Sequence, residues 1–171
     1  MTTGSASVII NRTPAEVFAA VSDITRTGEW SPECISGRWV DGATGPAVGA
    51  KFEGDNKVVV DGIPMKKWST TSEVSVYVPG EVFEFVVEGY TTWRYELEPT
   101  GTGTGTKLTE SFSFDASTGM QGFIYEKLLR RSRSMEKGIQ ATLTKIKAAL
   151  EGVAVPKTKM FGLGVTSLVF A

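Results

Sequence analysis

Apolar and polar positions change their rhythm twice along the chain. Residues 6–10, Ala-Ser-Val-Ile-Ile, read as a short strand, and Thr13-Pro14-Ala15-Glu16 follows at once with the signature of a helix start. Thr13 can cap, Pro14 suits the first helical position, and Glu16 completes a capping box. Val17, Phe18 and Val21 give this helix one apolar face, and the polar run 22–31, with Gly28, reads as a second short helix or turn that ends at Pro32. From 35 to 115 the texture becomes short β-branched and aromatic runs separated by turn residues, the pattern of an antiparallel meander. The breaks are Asp41-Gly42, Gly45-Pro46, Asp61-Gly62-Ile63-Pro64, Pro79-Gly80, Glu88-Gly89 and 99–105, and between them fit strands at 35–40, 51–60, 66–78, 81–88, 91–98 and 106–115. After Asp115 the period switches to three and four: Ile124, Leu128, Met135, Ile139, Leu143, Ile146 and Leu150 predict one amphipathic helix over 120–151, ended by Gly152 and Pro156. At about 1.5 Å per residue it is roughly 45 Å long, enough to cross a whole sheet.

Composition narrows the chemistry more than the fold. A chain of 171 residues suits one domain, and 18 basic against 19 acidic side chains make it nearly neutral, without the broad basic surface of a nucleic-acid binder. The absence of histidine removes the usual general base at neutral pH, every Ser-His or Cys-His dyad and the commonest metal ligand. Cys34 is the only thiol, so neither an internal disulfide nor a cysteine-rich zinc site is available, and no cofactor or metal is expected. Met-Thr-Thr-Gly-Ser-Ala-Ser lacks the basic start and apolar stretch of a secretory signal and no window is long enough for a membrane span, so a cytoplasmic location is expected. Residues 160–171 are the most apolar segment and are expected to dock on their own domain, at the cavity mouth, or on a second copy as a homodimer contact.

The order strand, two short helices, six antiparallel strands and a long helix carries further marks. They are Asp23 through Trp30-Ser31-Pro32 after the first helix, Pro79-Gly80, and Trp93-Arg94-Tyr95 leading through a Gly-Thr loop to Thr106-Lys107-Leu108-Thr109. This resembles the START-like (SRPBCC) helix-grip superfamily, and more narrowly its bacterial polyketide cyclase/dehydrase and lipid-transport branch. The resemblance spans about 6–150. It implies an α+β helix-grip fold at 1–152, in which a curved antiparallel sheet of about seven strands wraps the long helix and encloses a ligand cavity, with 153–171 left as an apolar tail. It also places Trp30 at the border of the cavity mouth, as gate or as lid on the core.

Strand parity then sorts the residues expected to face the helix. The last strand offers Leu108, Glu110, Phe112 and Phe114, and the one before it Trp93, Tyr95 and Leu97, with Arg94, Glu96 and Glu98 outside. The long third strand offers Trp68, Thr70, Ser72, Val74 and Val76; the second offers Phe52, Gly54, Asn56 and Val58; Phe83, Phe85 and Val87 complete the wall. An apolar wall with a few polar groups suits a hydrophobic small molecule, although each aromatic residue taken singly also fits plain core packing. From the helix, Leu128, Ser132 and Met135 would line the same space, Ser132 interrupting the apolar stripe or simply bonding back along its own helix.

Glu110 is the sharpest candidate. An inward carboxylate costs several kcal/mol unless it is paired, hydrogen-bonded or protonated. It could accept from Tyr95 or Trp93 across the ladder, or a one-residue bulge could turn it to solvent. Three other motifs carry less. The glycine-rich 101–105 joins two strands and lacks the helix N-terminus that would hold a phosphate, Cys34 beside Glu33 lacks an activating cation, and Asn11-Arg12-Thr13 has no secretory context. Lys127, Arg130, Arg131, Arg133 and Lys137 are interrupted by Glu126 and Glu136 and read as a solvated face. Binding of a lipid-like or polyketide-like molecule is therefore the leading reading. A cyclase, dehydratase or hydrolase using Glu110 with Tyr95 is the alternative, and a partner-binding role through the tail is a third.

Overall fold

The computed structural model describes residues 2–60, 63–101, 103–114 and 123–154, with side chains described throughout these except at 2, 58–60, 63–66 and 123–136. The elements run β1 (Thr2–Ile10), α1 (Pro14–Ser22), a short 3-10 helix (Ile24–Glu29), β2 (Cys34–Val40), β3 (Lys51–Val60), β4 (Ile63–Val78), β5 (Val82–Val87), β6 (Thr91–Thr100), β7 (Gly105–Phe114) and α2 (Phe123–Glu151). All seven strands form one antiparallel sheet in the order β1-β7-β6-β5-β4-β3-β2. This is the helix-grip α+β architecture expected from the pattern of strands and helices.

Local chemistry explains the helix starts. Thr13 Oγ1 accepts from the Glu16 amide while Glu16 Oε2 accepts from the Thr13 amide at 2.9 Å, a complete capping box with Pro14 in the first turn. Asp23 caps the 3-10 helix by accepting from the Thr25 amide at 3.1 Å. This helix lies against β2 so closely that a Cβ on Gly28 would stand 2.2 Å from the Ile35 carbonyl oxygen, and one on Gly37 2.3 Å from that of Ile24. Only glycine permits the contact. The helical run thus stops at Glu29, before Pro32.

Besides a register shift between Cys34 and Ser36 in β2, two irregularities interrupt the sheet. One lies between Val58 and Val59, opposite the start of β4, so Ile63 and Pro64 belong to the strand instead of to a turn, and Pro64 sits near its first residues where a missing N–H is tolerated. The other lies between Val74 and Val76 and shifts the pairing so that Tyr77, not Val76, stands opposite Phe83. The ring of Tyr77 packs on Phe18 and Phe83 at centroid distances of 5.4 and 6.5 Å. Strict alternation along β4 had put Val76 inside, and the bulge reverses the parity beyond it.

The second half of α2 packs chiefly on β1. Ile139, Leu143 and Ile146 meet Ile10, Val17 and Leu108, none more than 1% exposed. Lys147 Nζ donates to the Ile9 carbonyl at 2.6 Å, and the Asn11 amide donates to Glu151 Oε1 at 2.8 Å, fastening the end of the helix to the β1–α1 turn. Gly152, at φ +69°, ends it. Among the described residues no helix is long and apolar enough to cross a membrane. The expected docking of 160–171 lies outside the described residues.

Candidate functional site

The inner face of the sheet changes character along its strands. Where β1, β7 and β6 meet α1 and the end of α2, Ile10, Leu108 and Leu97 are buried in an apolar core. Toward Trp93, Phe85, Val87, Trp68, Thr70 and Asn56 the same face is only partly covered. Between the two stretches stands Glu110.

Register brings Glu110 directly opposite Tyr95 on one side and Ala6 on the other. The alternative of a bulge turning it outward does not occur: Glu110 is 3% exposed. The Tyr95 hydroxyl donates to Glu110 Oε1 at 3.0 Å, while Oε2 is buried with no hydrogen-bond partner among the described residues. Trp93 is not a donor here, and its ring instead leans on Phe112 at 5.6 Å. Burial pushes the Glu110 carboxyl up to about 8, against a smaller downward pull from the Tyr95 hydrogen bond. Tyr95 is held well above its ordinary value, first by burial and then by the charge and hydrogen bond of Glu110. At neutral pH Glu110 is thus a protonated acid. With Oε1 already accepting from Tyr95, its proton belongs on Oε2, where it can be donated to something placed on this face.

A second polar group lies on β2, β3 and β4. Asn56 Nδ2 donates to the Gly54 carbonyl at 2.9 Å and to Thr70 Oγ1 at 3.2 Å. A Cβ on Gly54 would lie 3.4 Å from Cys34 Sγ and 3.6 Å from Thr70 Oγ1, so the bare glycine keeps a small recess among these groups. The Cys34 thiol is pushed up, by burial first, and it stays a neutral thiol. Sequence reasoning dismissed Cys34 as a nucleophile and omitted it from the wall; the β2–β3 register pairs it with Asn56, which parity placed inside.

Of the other predicted residues, Ser72 is 3% exposed and Phe112 2%, both on the inner face. Phe85 bridges Phe52 and Phe83 at 5.1 and 5.7 Å, continuing an aromatic floor. Trp30 is 2% exposed within the core cluster, with the Arg26 guanidinium 5.2 Å above its ring, the environment of a lid on the core. The side chains of Leu128, Ser132 and Met135 lie outside the described residues. Two depressions of about 370 and 340 Å³ among the described residues lie on the opposite, outer face, across β3–β5 and across β1, β7, β6 and β5. That face is polar, with Arg94 paired to Glu84 at 2.9 Å and to Glu96 at 3.0 Å, and Lys107 to Glu98 at 3.3 Å. Among the described residues no three metal-ligating side chains of the His, Cys, Asp or Glu type converge.

Comparison with known proteins agrees with this architecture. A family model described as polyketide cyclase/dehydrase and lipid transport matches residues 1–151. The chain is similar to the solution structure of the polyketide-cyclase-like protein Cgl2372 from Corynebacterium glutamicum, with 39% identity over 87% of this chain and 91% of that one and a TM-score of 0.60. It also shares its fold with KanY, at 18% identity, coverage of 88% and 98% and a TM-score of 0.65. DR_A0006 from Deinococcus radiodurans shares it at 11% identity, 89% and 100% coverage and a TM-score of 0.61. No curated protein matches.

Proposed function

Because the chain belongs to the polyketide cyclase/dehydrase and lipid transport family, we propose that it holds a lipid-like or polyketide-like small molecule between the open part of the inner face and α2. The observation that carries the reading is Glu110 Oε2, a buried polar atom in an aromatic wall with no partner among the described residues. A group that is expensive to leave unsatisfied has its use in a bound state that satisfies it. The aromatic floor of Phe52, Phe85, Trp93 and Phe112 supplies the apolar contact area, and Asn56, Thr70 and Ser72 supply sparse polar contacts. Native mass spectrometry of freshly purified protein tests this. A retained apolar molecule, lost on Trp93→Ala, supports it; a bare chain that also fails to enhance the fluorescence of an apolar dye contradicts it.

A second reading rests on the Glu110 carboxyl at about 8. An acid that keeps its proton at neutral pH can protonate a carbonyl or a leaving hydroxyl, the step a cyclase or dehydratase needs, with Tyr95 orienting it through Oε1. Under this reading Glu110→Gln abolishes turnover of a bound hydroxy-ketone while leaving its affinity nearly unchanged. Under the binding reading no turnover exists to abolish.

A further inference from the structure

Gly54 is a glycine that the sheet itself does not require. It stands in the middle of β3, in register with Gly37 of β2 and Thr70 of β4, and the register shifts of these pairs fall elsewhere, at Cys34/Ser36 and Val58/Val59. Its φ lies outside the left-handed region. Gly37 and Gly105, also in strands, are fixed by contact: a Cβ would stand 2.3 Å from the Ile24 carbonyl oxygen on the first and 2.5 Å from Thr100 Oγ1 on the second. At Gly54 the nearest atoms are Cys34 Sγ at 3.4 Å, Thr70 Oγ1 at 3.6 Å and Asn56 Nδ2 at 4.0 Å, so the methyl of an alanine fits. A glycine inside a strand weakens it, and one that neither backbone nor packing demands marks a place where something approaches the bare chain.

The polar groups around this recess have fixed roles. The Gly54 carbonyl can only accept, so the nitrogen of the Asn56 amide must face it, and the same nitrogen donates to Thr70 Oγ1 at 3.2 Å. Both amide protons are then used. Among the described residues, Asn56 Oδ1 accepts from nothing and the Thr70 hydroxyl proton has no acceptor. We infer that the recess over Gly54 is a subsite for a hydroxyl group of the ligand, an alcohol or phenol, which accepts from Thr70 Oγ1 and donates to Asn56 Oδ1. The inference rests on the reading that the inner face holds a hydrophobic molecule, and adds one of its functional groups and where that group sits. Oδ1 shares a carbon with Nδ2, which already touches Thr70 Oγ1, so one oxygen can reach both. The space of a missing methyl admits one heavy atom, and an uncharged hydroxyl oxygen both donates and accepts through that one atom. A carbonyl or ether has no proton for Asn56, and a protonated amine has no lone pair for Thr70.

The test uses the full chain and three molecules of one ring system, 2-naphthol, 2-methylnaphthalene and 2-methoxynaphthalene, titrated at neutral pH. 2-Naphthol is expected to bind about tenfold more tightly than either of the others, the gain of a satisfied hydrogen bond. Thr70→Val, of the same shape, removes the difference. Glu110→Leu, with its fold checked by circular dichroism, keeps it, which separates the recess from the other polar group on this face. Gly54→Ala melts no lower than wild type and binds 2-naphthol no more tightly than 2-methylnaphthalene, because the new methyl takes the place of the hydroxyl. A Gly54→Ala variant that melts lower assigns the glycine to the sheet and overturns the inference. So does a 2-naphthol advantage that survives Gly54→Ala or Thr70→Val, or that is lost in Glu110→Leu. Equal binding of all three molecules to the wild type overturns it too and leaves the binding reading intact. If none of the three binds, the binding reading falls and the inference with it.

Discussion

The two halves of the inner face belong to one sheet, share β6 and β7, and differ in how far they are covered. At one end Leu108 and Leu97 pair across β7 and β6 and are closed off by Ile10, Val17 and Ile146, the last three with no exposed surface. At the other end, two to four residues along β6 and β7 and across the neighbouring β5 and β4, Trp93, Phe85 and Thr70 keep part of their surface, and the buried groups include Glu110, Tyr95 and Ser72. A core built for stability fills with aliphatic side chains and leaves no polar atom unpaired. The second end breaks that rule at Glu110, and such a departure marks a place where stability has been given up for another use.

The contrast sets the order of the expected effects. Leu108→Ala or Ile146→Ala opens a hole in the closed end and should cost roughly 2–5 kcal/mol in urea unfolding, with no change in ligand preference. Loss of binding without loss of stability would instead place the site at this end. Glu110→Gln acts through pH. In the unfolded chain its carboxyl titrates near 4.5, in the folded one near 8, so the folded state holds its proton longer. Stability is thus undiminished below about 4.5, falls as pH rises through 8, and is lowered by a few kcal/mol above that. The Gln variant should gain stability over wild type at pH 9 and match it near pH 4. Equal pH profiles for the two would mean that Glu110 ionises freely.

Smaller effects follow from single partners. Tyr95→Phe removes the hydroxyl that donates to Oε1, should cost about 1 kcal/mol, and should raise the Glu110 titration further, since that bond holds it down. A titration unmoved in Tyr95→Phe would show that the two groups do not touch in solution. On the outer face, Arg38→Ala breaks exposed pairs to Glu53 and Asp55 and should change stability by less than about 1 kcal/mol.

Much of this was legible in the sequence, and unevenly so. Period-two runs located all seven strands, and β3 was bounded at 51–60 as found, because turn residues flank each run. The same alternation put Glu110 and Tyr95 inside, where the register places them as opposite neighbours. It failed at Val76 and at Ile63-Pro64, since a bulge inserts one residue without any marker in the local composition. The burial of Trp30 beneath Arg26 and the approach of Gly28 to Ile35 depend on how the 3-10 helix leans on β2, a tertiary contact that no local pattern encodes. Cys34 was judged by its reactivity, and its place beside Gly54 and Thr70 became apparent only from the β2–β3 register, which shifts between Cys34 and Ser36.

The difference between the two ends can be read directly from the tryptophan side chains. Trp93 lies on the open wall beside Phe112 and Trp68 opposite Asn56, while Trp30 is sealed in the core. In ¹H–¹⁵N spectra of the indole groups, saturating 2-naphthol should shift the Trp93 and Trp68 signals and leave Trp30 where it is. Shifts confined to Trp30, or no shift at Trp93 on saturation, would contradict the assignment of the open inner face as the site.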